Sequence, residues 1–420
     1  MPEISIYSIF KDKKDVDKGE HMENGKHIYY LDGGYNISEF VRTGEVNPTW
    51  IYNELQWKAA INSNISVGSH LTDAAGFTAY DMCVYYLTSD RHIHELAYSS
   101  VDTQWHPRDV TYDSNAQPAT PGSALASAKD NDGEMRVYYL SSDGWWSGNQ
   151  HICELSSKTN PDKSRSWSFR DVTKDSNAPP FAPGGVLTSA NYKGEMRVYH
   201  LTNDQHIVEL AIKSPNSVSF RDITAESKAP PAAHGSALAF ANDSDGEIRV
   251  YYLTSDCRLS ENQRIVELVS KTKPDNSYSW SFRDVTKDSG APPAAHGSDL
   301  ASAKYSDGKM RVYYLVDWNH IYELASKPDK SWAFMDVTKA SNAPHVAPGS
   351  MLTSANYNSN EILVYYKTDD QCIVELASKS DRSWSYMDVT KDRKAPPAAA
   401  GSTLKLVDYI YTSKEPEPPK

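Results

Sequence analysis

Cysteine is scarce. The 420-residue chain has only Cys83, Cys153, Cys257 and Cys372. Four are too few for a disulfide framework, and their spacing fits no zinc pattern, so a reducing compartment and no structural metal are expected. Positive charge is also in deficit, with 43 Lys and Arg against 55 Asp and Glu and a net charge of −12. That excludes a basic groove for nucleic acid and argues against attraction to an anionic membrane surface. No stretch approaches the ~20 apolar residues needed to span a bilayer, so membrane insertion is not expected. The first twenty residues carry Lys11, Asp12, Lys13, Lys14, Asp15 and Asp17, and no apolar core of a signal peptide follows. The expected location is the cytoplasm, or the exterior by a non-classical route. Phosphate-loop, dinucleotide and Ser/His/Asp motifs are missing, so no cofactor is expected. Phenylalanine is rare at 9, whereas Tyr reaches 27 and Trp 10. Tyr and Trp suit strands that are apolar on one side and wet on the other.

What is present is a repeat. A tetrapeptide close to Arg-Val-Tyr-Tyr starts at Arg136, Arg197, Arg249 and Arg311, with weaker copies at His27, Cys83 and Leu363. Successive spacings are 56, 53, 61, 52, 62 and 52 residues. The two long intervals hold insertions around Gly144-Trp145-Trp146 and Cys257-Arg258-Leu259. Each unit has four short segments rich in β-branched and aromatic residues. The first opens on Gly-Ser or Gly-Gly, as in Gly122-Ser123-Ala124-Leu125. The second is the Arg-Val-Tyr-Tyr run. The third ends in Glu-Leu or Glu-Phe, as in His320-Ile321-Tyr322-Glu323-Leu324. The fourth resembles Ser279-Trp280-Ser281-Phe282-Arg283-Asp284-Val285-Thr286. Turn residues bound all four, which reads as four strands per unit. Asp132-Gly133 sits where a hairpin turn belongs.

Four antiparallel strands repeated about every 50 residues predict an all-β fold, a seven-bladed β-propeller. The opening strands begin at Gly68, Gly122, Gly184, Gly235, Gly297, Gly349 and Gly401, whereas the first second-type strand, at His27, precedes them all. The strand from Gly401 to Asp408 is therefore expected to pair into the first blade and close the ring. Residues 1–410 read as one propeller and 411–420 as a Pro-rich charged tail. A further strand, Ile4 to Phe10, has no obvious place in the ring.

Runs such as Met310-Arg311-Val312-Tyr313-Tyr314, then His320 to Leu324, then Trp332, resemble the blades of the fungal fucose-specific lectins, the Aleuria aurantia lectin family. The resemblance runs from about His27 to Asp408. Those lectins have six blades, so the likeness is to the blade and not to the assembled ring. It implies sugar binding between blades, with an Arg of the second strand and a Glu of the third on the hydroxyls and an aromatic residue on the apolar side. A guanidinium offers fixed donors and a carboxylate offers acceptors, which suits a fixed pattern of hydroxyls. Carried over unit by unit, the resemblance implies three full sets: Arg136, Glu154 and Trp167; Arg249, Glu267 and Trp280; and Arg311, Glu323 and Trp332. The fourth unit has Arg197 and Glu209, but Val218 replaces the Trp.

Other readings stand beside this one. Glu39, Glu95 and Glu375 persist in units where His27, Cys83 and Leu363 replace the Arg, which points to a structural role for the Glu. The Trp also suits packing between blades. Asp109, Asp171, Asp222, Asp284, Asp336 and Asp388 recur before a turn, where Asp commonly accepts backbone N–H bonds. Asp130 to Gly133 resembles the start of a calcium loop but lacks its later Glu. His92 and His94 share a strand face without an evident third ligand. The Trp145-Trp146 insertion, Trp50 and Trp57 break the repeat, as one specialised pocket would. Two functions follow. The first is a multivalent lectin for fucose or fucosylated glycans. The alternative is a natural-product enzyme, since hetero-Diels–Alderase-type cyclases are built on related propellers; it would bind a small apolar molecule in one aromatic pocket.

Overall fold

Short runs of β-branched and aromatic residues make each segment a strand whose successive side chains point to opposite faces; the second strands are buried on both, and the fourth strands alternate between buried and exposed. The structure, a computed structural model, describes residues 25–409 except 35, 44–48, 56–70, 76–81, 100–103, 131, 143–149, 161–163, 183–184, 215–216, 243–245, 256–262, 274–277, 306–307, 318, 358–360, 380–382, 400–401 and 403. The segment Ile4 to Phe10, Trp57, Gly68, Gly184, Gly401, both insertions with Trp145, Trp146 and Cys257, and the tail after residue 410 lie outside the described residues.

Seven four-stranded sheets form, and each is an antiparallel blade. We number them by chain order: blade 1 (25–54), blade 2 (71–109), blade 3 (125–171), blade 4 (187–222), blade 5 (238–284), blade 6 (300–336) and blade 7 (353–388). The innermost strand of blade 1 is Lys405–Tyr409, which pairs antiparallel with Gly25–Leu31. Inner strands of successive blades lie side by side right round to this one, so the last strand closes the ring.

The core is divided among the blade junctions. Seven clusters of buried side chains form, each from the facing sides of two neighbouring blades. At the junction of blades 5 and 6, Tyr251, Leu253 and Ile265 meet Met310, Val312, Leu324 and Trp332. A blade buries its faces only against its neighbours, so the ring is the smallest stable unit.

The recurring Asp-Val-Thr has three roles. Each Asp, from Asp109 to Asp388, caps a helix of four or five residues by accepting from a backbone N–H one turn on. The following Val or Ile is fully buried. The Thr hydroxyl then accepts from the third strand of the same blade, as Thr286 Oγ1 does from Ile265 N at 2.8 Å. The Gly-Ser opening is equally specific. Gly122, Gly235, Gly297 and Gly349 have φ near +70°, which a side chain would strain. Ser236 next to Gly235 accepts from Leu253 N at 2.8 Å.

Candidate functional site

On the second strand the Arg and the first Tyr, two residues apart, point to one face. The Glu of the third strand stands opposite that Tyr, as Glu154 does to Tyr138. In all seven blades the Tyr hydroxyl bonds this Glu: Tyr29–Glu39 at 2.7 Å, Tyr85–Glu95 2.8 Å, Tyr138–Glu154 2.8 Å, Tyr199–Glu209 2.9 Å, Tyr251–Glu267 2.9 Å, Tyr313–Glu323 2.9 Å and Tyr365–Glu375 2.6 Å. Burial pushes the Tyr85, Tyr138, Tyr199 and Tyr313 phenols well up, so they stay protonated as donors. The persistent Glu therefore has a structural partner in every blade.

The Trp lies on the other face of its own blade. Arg136 is in register with Ser156, whereas Trp167 is in register with Ser157, one residue out of phase. Trp167 consequently packs on the preceding blade, edge-on to Tyr85 at 6.0 Å. The grouping by unit thus changes. Trp280 stands with Tyr199, Trp332 with Tyr251 and Trp384 with Tyr313, at 6.3, 6.3 and 6.1 Å. The complete sets that the structure brings together are Arg197, Glu209 and Trp280 between blades 4 and 5; Arg249, Glu267 and Trp332 between blades 5 and 6; and Arg311, Glu323 and Trp384 between blades 6 and 7. Arg136 and Glu154 instead face Val218, which packs against the cluster containing Tyr138. Trp384 was missed as a site residue because its own unit has Leu363 in place of Arg.

Every Glu also has a nitrogen-bearing side chain beside it, whether or not its own unit keeps the Arg. Arg249 reaches Glu267 at 2.7 Å, Arg197 reaches Glu209 at 2.9 Å, and Arg311 lies 3.7 Å from Glu323. Glu154 takes Arg136 at 3.4 Å and Arg170 at 2.9 Å. Where the Arg is lost, another side chain takes its place, from the same position in blade 1 and from a neighbouring blade in the other two. His27 Nδ1 lies 2.8 Å from Glu39. Arg165 of blade 3 crosses to Glu95 of blade 2. Arg42 of blade 1 crosses to Glu375 of blade 7 at 3.1 Å. Burial pushes the Glu375 carboxyl up, and Arg42 acts against that rise. A buried carboxylate without hydrogen-bonding or charged partners is costly, so the sequence compensates each loss.

These clefts differ in access. The Arg165 and Glu95 side chains are each 1% exposed, and Arg42 and Glu375 are each 4% exposed, so these two clefts are sealed by the protein's own ion pairs. Arg249 and Arg136 keep 20% and 19% of their side chains exposed, and Arg311 keeps 11%. The Trp rings are largely buried, and each contributes to a junction core as well as to a cleft wall.

The remaining candidates are accounted for locally. The Asp130 carboxylate accepts from the backbone of Asp132 and Glu134 and pairs with Arg136 at 2.7 Å, so it is committed to the hairpin turn and to the arginine. His92 and His94 both approach Asp109, at 2.6 and 3.6 Å, and that acid is a helix cap. Trp50 lies between blades 7 and 1, edge-on to Tyr365.

A closed ring of antiparallel blades, with a polar Arg/Glu/aromatic cleft recurring at blade junctions, defines a propeller of the lectin type. The sequence model of the fungal fucose-specific lectins matches residues 41–267, more than half of the chain, and the chain belongs to that family. No curated protein matches it in sequence. Among solved structures, the BP39L lectin from Burkholderia pseudomallei superposes with a TM-score of 0.61 at 13% identity, covering 90% of this chain and 96% of that one. An arginine-to-alanine triple mutant of AofleA from Arthrobotrys oligospora gives 0.52 at 13% identity, covering 84% and 93%. A mutant of the Aleuria aurantia lectin, in complex with Fucα1-6GlcNAc, gives 0.50 at 17% identity, covering 80% and 99%. At these identities the structural likeness concerns the fold.

Proposed function

We propose that this protein is a lectin that binds fucose or a fucosylated glycan in the clefts between blades. The observation that carries this reading is the meeting of Arg249 and Glu267 of blade 5 with Trp332 of blade 6, with the guanidinium partly open to solvent. Arg311, Glu323 and Trp384 repeat it one junction on. Tyr251 and Arg249 both bond Oε1 of Glu267, which turns the second carboxylate oxygen to account as an acceptor for a sugar hydroxyl. The guanidinium supplies fixed donors, and the indole supplies an apolar wall for C–H groups and a methyl. Each such contact alone is weak, and several around one ring give avidity on a glycan-coated surface. The single-pocket cyclase reading is not favoured, because the groups brought together recur from junction to junction.

The test is calorimetric titration with L-fucose. Arg249→Ala and Arg311→Ala should each remove one site while the thermal midpoint stays close to that of the wild type. No heat at millimolar fucose would overturn the assignment.

A further inference from the structure

The cleft between blades 4 and 5 has the full set of Arg197, Glu209 and Trp280, yet Arg197 keeps only 4% of its side chain exposed, against 20% for Arg249. What covers it is Tyr278. This residue lies two positions before Trp280 on the same strand, so both side chains point into the same cleft. Its hydroxyl donates to Glu209 Oε1 at 2.6 Å and accepts from Arg197 Nη1. Its ring is held between two guanidinium groups, with Arg197 at 5.1 Å and Arg221 at 4.3 Å from the centroid. Arg221 also bonds the Tyr278 carbonyl at 3.1 Å. Arg197 Nε and Trp280 Nε1 are buried N–H donors without a hydrogen-bond partner. Such donors are expensive to leave unpaired, and a hydroxylated ligand would satisfy them.

We propose that Tyr278 is a built-in occupant of this cleft, its phenol holding the place of a ligand hydroxyl, so that the cleft takes a sugar only when Tyr278 swings out. The inference rests on the sugar-binding reading above and adds a gate to one of its sites. The same strand position supports it in two other blades. Arg165, two before Trp167, reaches across to Glu95 and seals the cleft between blades 2 and 3. Lys330, two before Trp332, sits exposed on a turn, and the Arg249–Glu267 cleft beside it stays open. In these three blades, 3, 5 and 6, the residue two before the Trp thus goes with whether the protein fills its own cleft. Burial and the nearby Glu209 push the Tyr278 phenol up to about 12, so it remains a neutral donor across the physiological range.

The experiment is titration of L-fucose into the wild type, Tyr278→Ala, Tyr278→Ser, Tyr278→Phe and the double variant Tyr278→Ala/Arg197→Ala. Removing the phenol with Ala or Ser should raise the number of sites by one per chain. Adding Arg197→Ala should cancel that gain. Tyr278→Phe keeps the ring between the two guanidinium groups and should leave the site count of the wild type. The Ser variant carries the test if the Ala variant fails to fold. If the wild type binds fucose and neither the Ala nor the Ser variant adds a site, the gate is refuted while the lectin reading stands. If the wild type and all variants are silent, the sugar-binding reading fails and the gate fails with it.

Discussion

His200 makes the acid sensitivity of this ring testable. It occupies the position held by Tyr30, Tyr139, Tyr252, Tyr314 and Tyr366 in other blades, where each hydroxyl donates to a carbonyl of the loop between units at 2.6–3.1 Å. His200 is fully buried and stacks on Phe181 at 5.8 Å. Burial drives its imidazole down from 6.5 to about 4, and the Pro179 carbonyl only partly opposes this. Neither ring nitrogen reaches a partner in hydrogen-bond geometry. The folded value is therefore lower than the unfolded one. Above pH 6.5 the stability is fully present; between 6.5 and about 4 the unfolded chain takes the proton first and stability is lost. At about 1.36 kcal/mol per pKa unit, the loss amounts to about 3 kcal/mol, most of it by pH ~4.5. The variant to compare is His200→Tyr with Phe181→Ala, which restores the pair that blade 5 has in Tyr252 and Ala232 and avoids overpacking. Urea denaturation at pH ~7.5 and ~4.5 reads the difference. The double variant should lose about 2–3 kcal/mol less than the wild type between the two pH values, since the carboxylates titrate in both. Equal losses would refute the reasoning, as would a His200 titration near its ordinary value in the folded protein.

Three further outcomes follow from the junctions. Arg165→Ala leaves Glu95 buried without its cation and should cost about 3–5 kcal/mol in urea unfolding, and adding Glu95→Gln should recover part of that. Lys367 is buried where other blades have Leu87, Leu140, Leu253 and Leu315, and burial lowers its ammonium from 10.5 to about 8. The wild type should therefore gain stability as pH rises from about 8 to 10.5, whereas Lys367→Leu should be more stable at pH 7 and lose that slope in thermal midpoints. Asp284→Ala removes a helix cap and the Arg264 pair and should cost about 1–2 kcal/mol by chemical denaturation, with the number of fucose sites unchanged.

Most of the fold was legible in the sequence. The four-segment repeat, its count of seven and the first second-type strand at His27 preceding any opening strand already required the last strand to close the ring. Local chemistry was legible too: Asp-Val-Thr and Gly-Ser act within a few residues or within one blade, so their spacing carries their roles. Strand parity even had the signal that Arg136 and Trp167 face opposite ways, since their register partners Ser156 and Ser157 are neighbours. What parity could not say is which blade each face meets, and that decides the site. The partners of a cleft come from different units: Arg249 and Glu267 with Trp332, Arg165 with Glu95, Arg42 with Glu375 across the closed seam. Periodicity thus determined the strands, the blades and the ring, because these depend on short segments recurring about every 50 residues. The composition of each cleft, and whether it stands open or is filled by the protein's own arginine or tyrosine, depended on long side chains reaching between blades, and only the assembled ring could decide that.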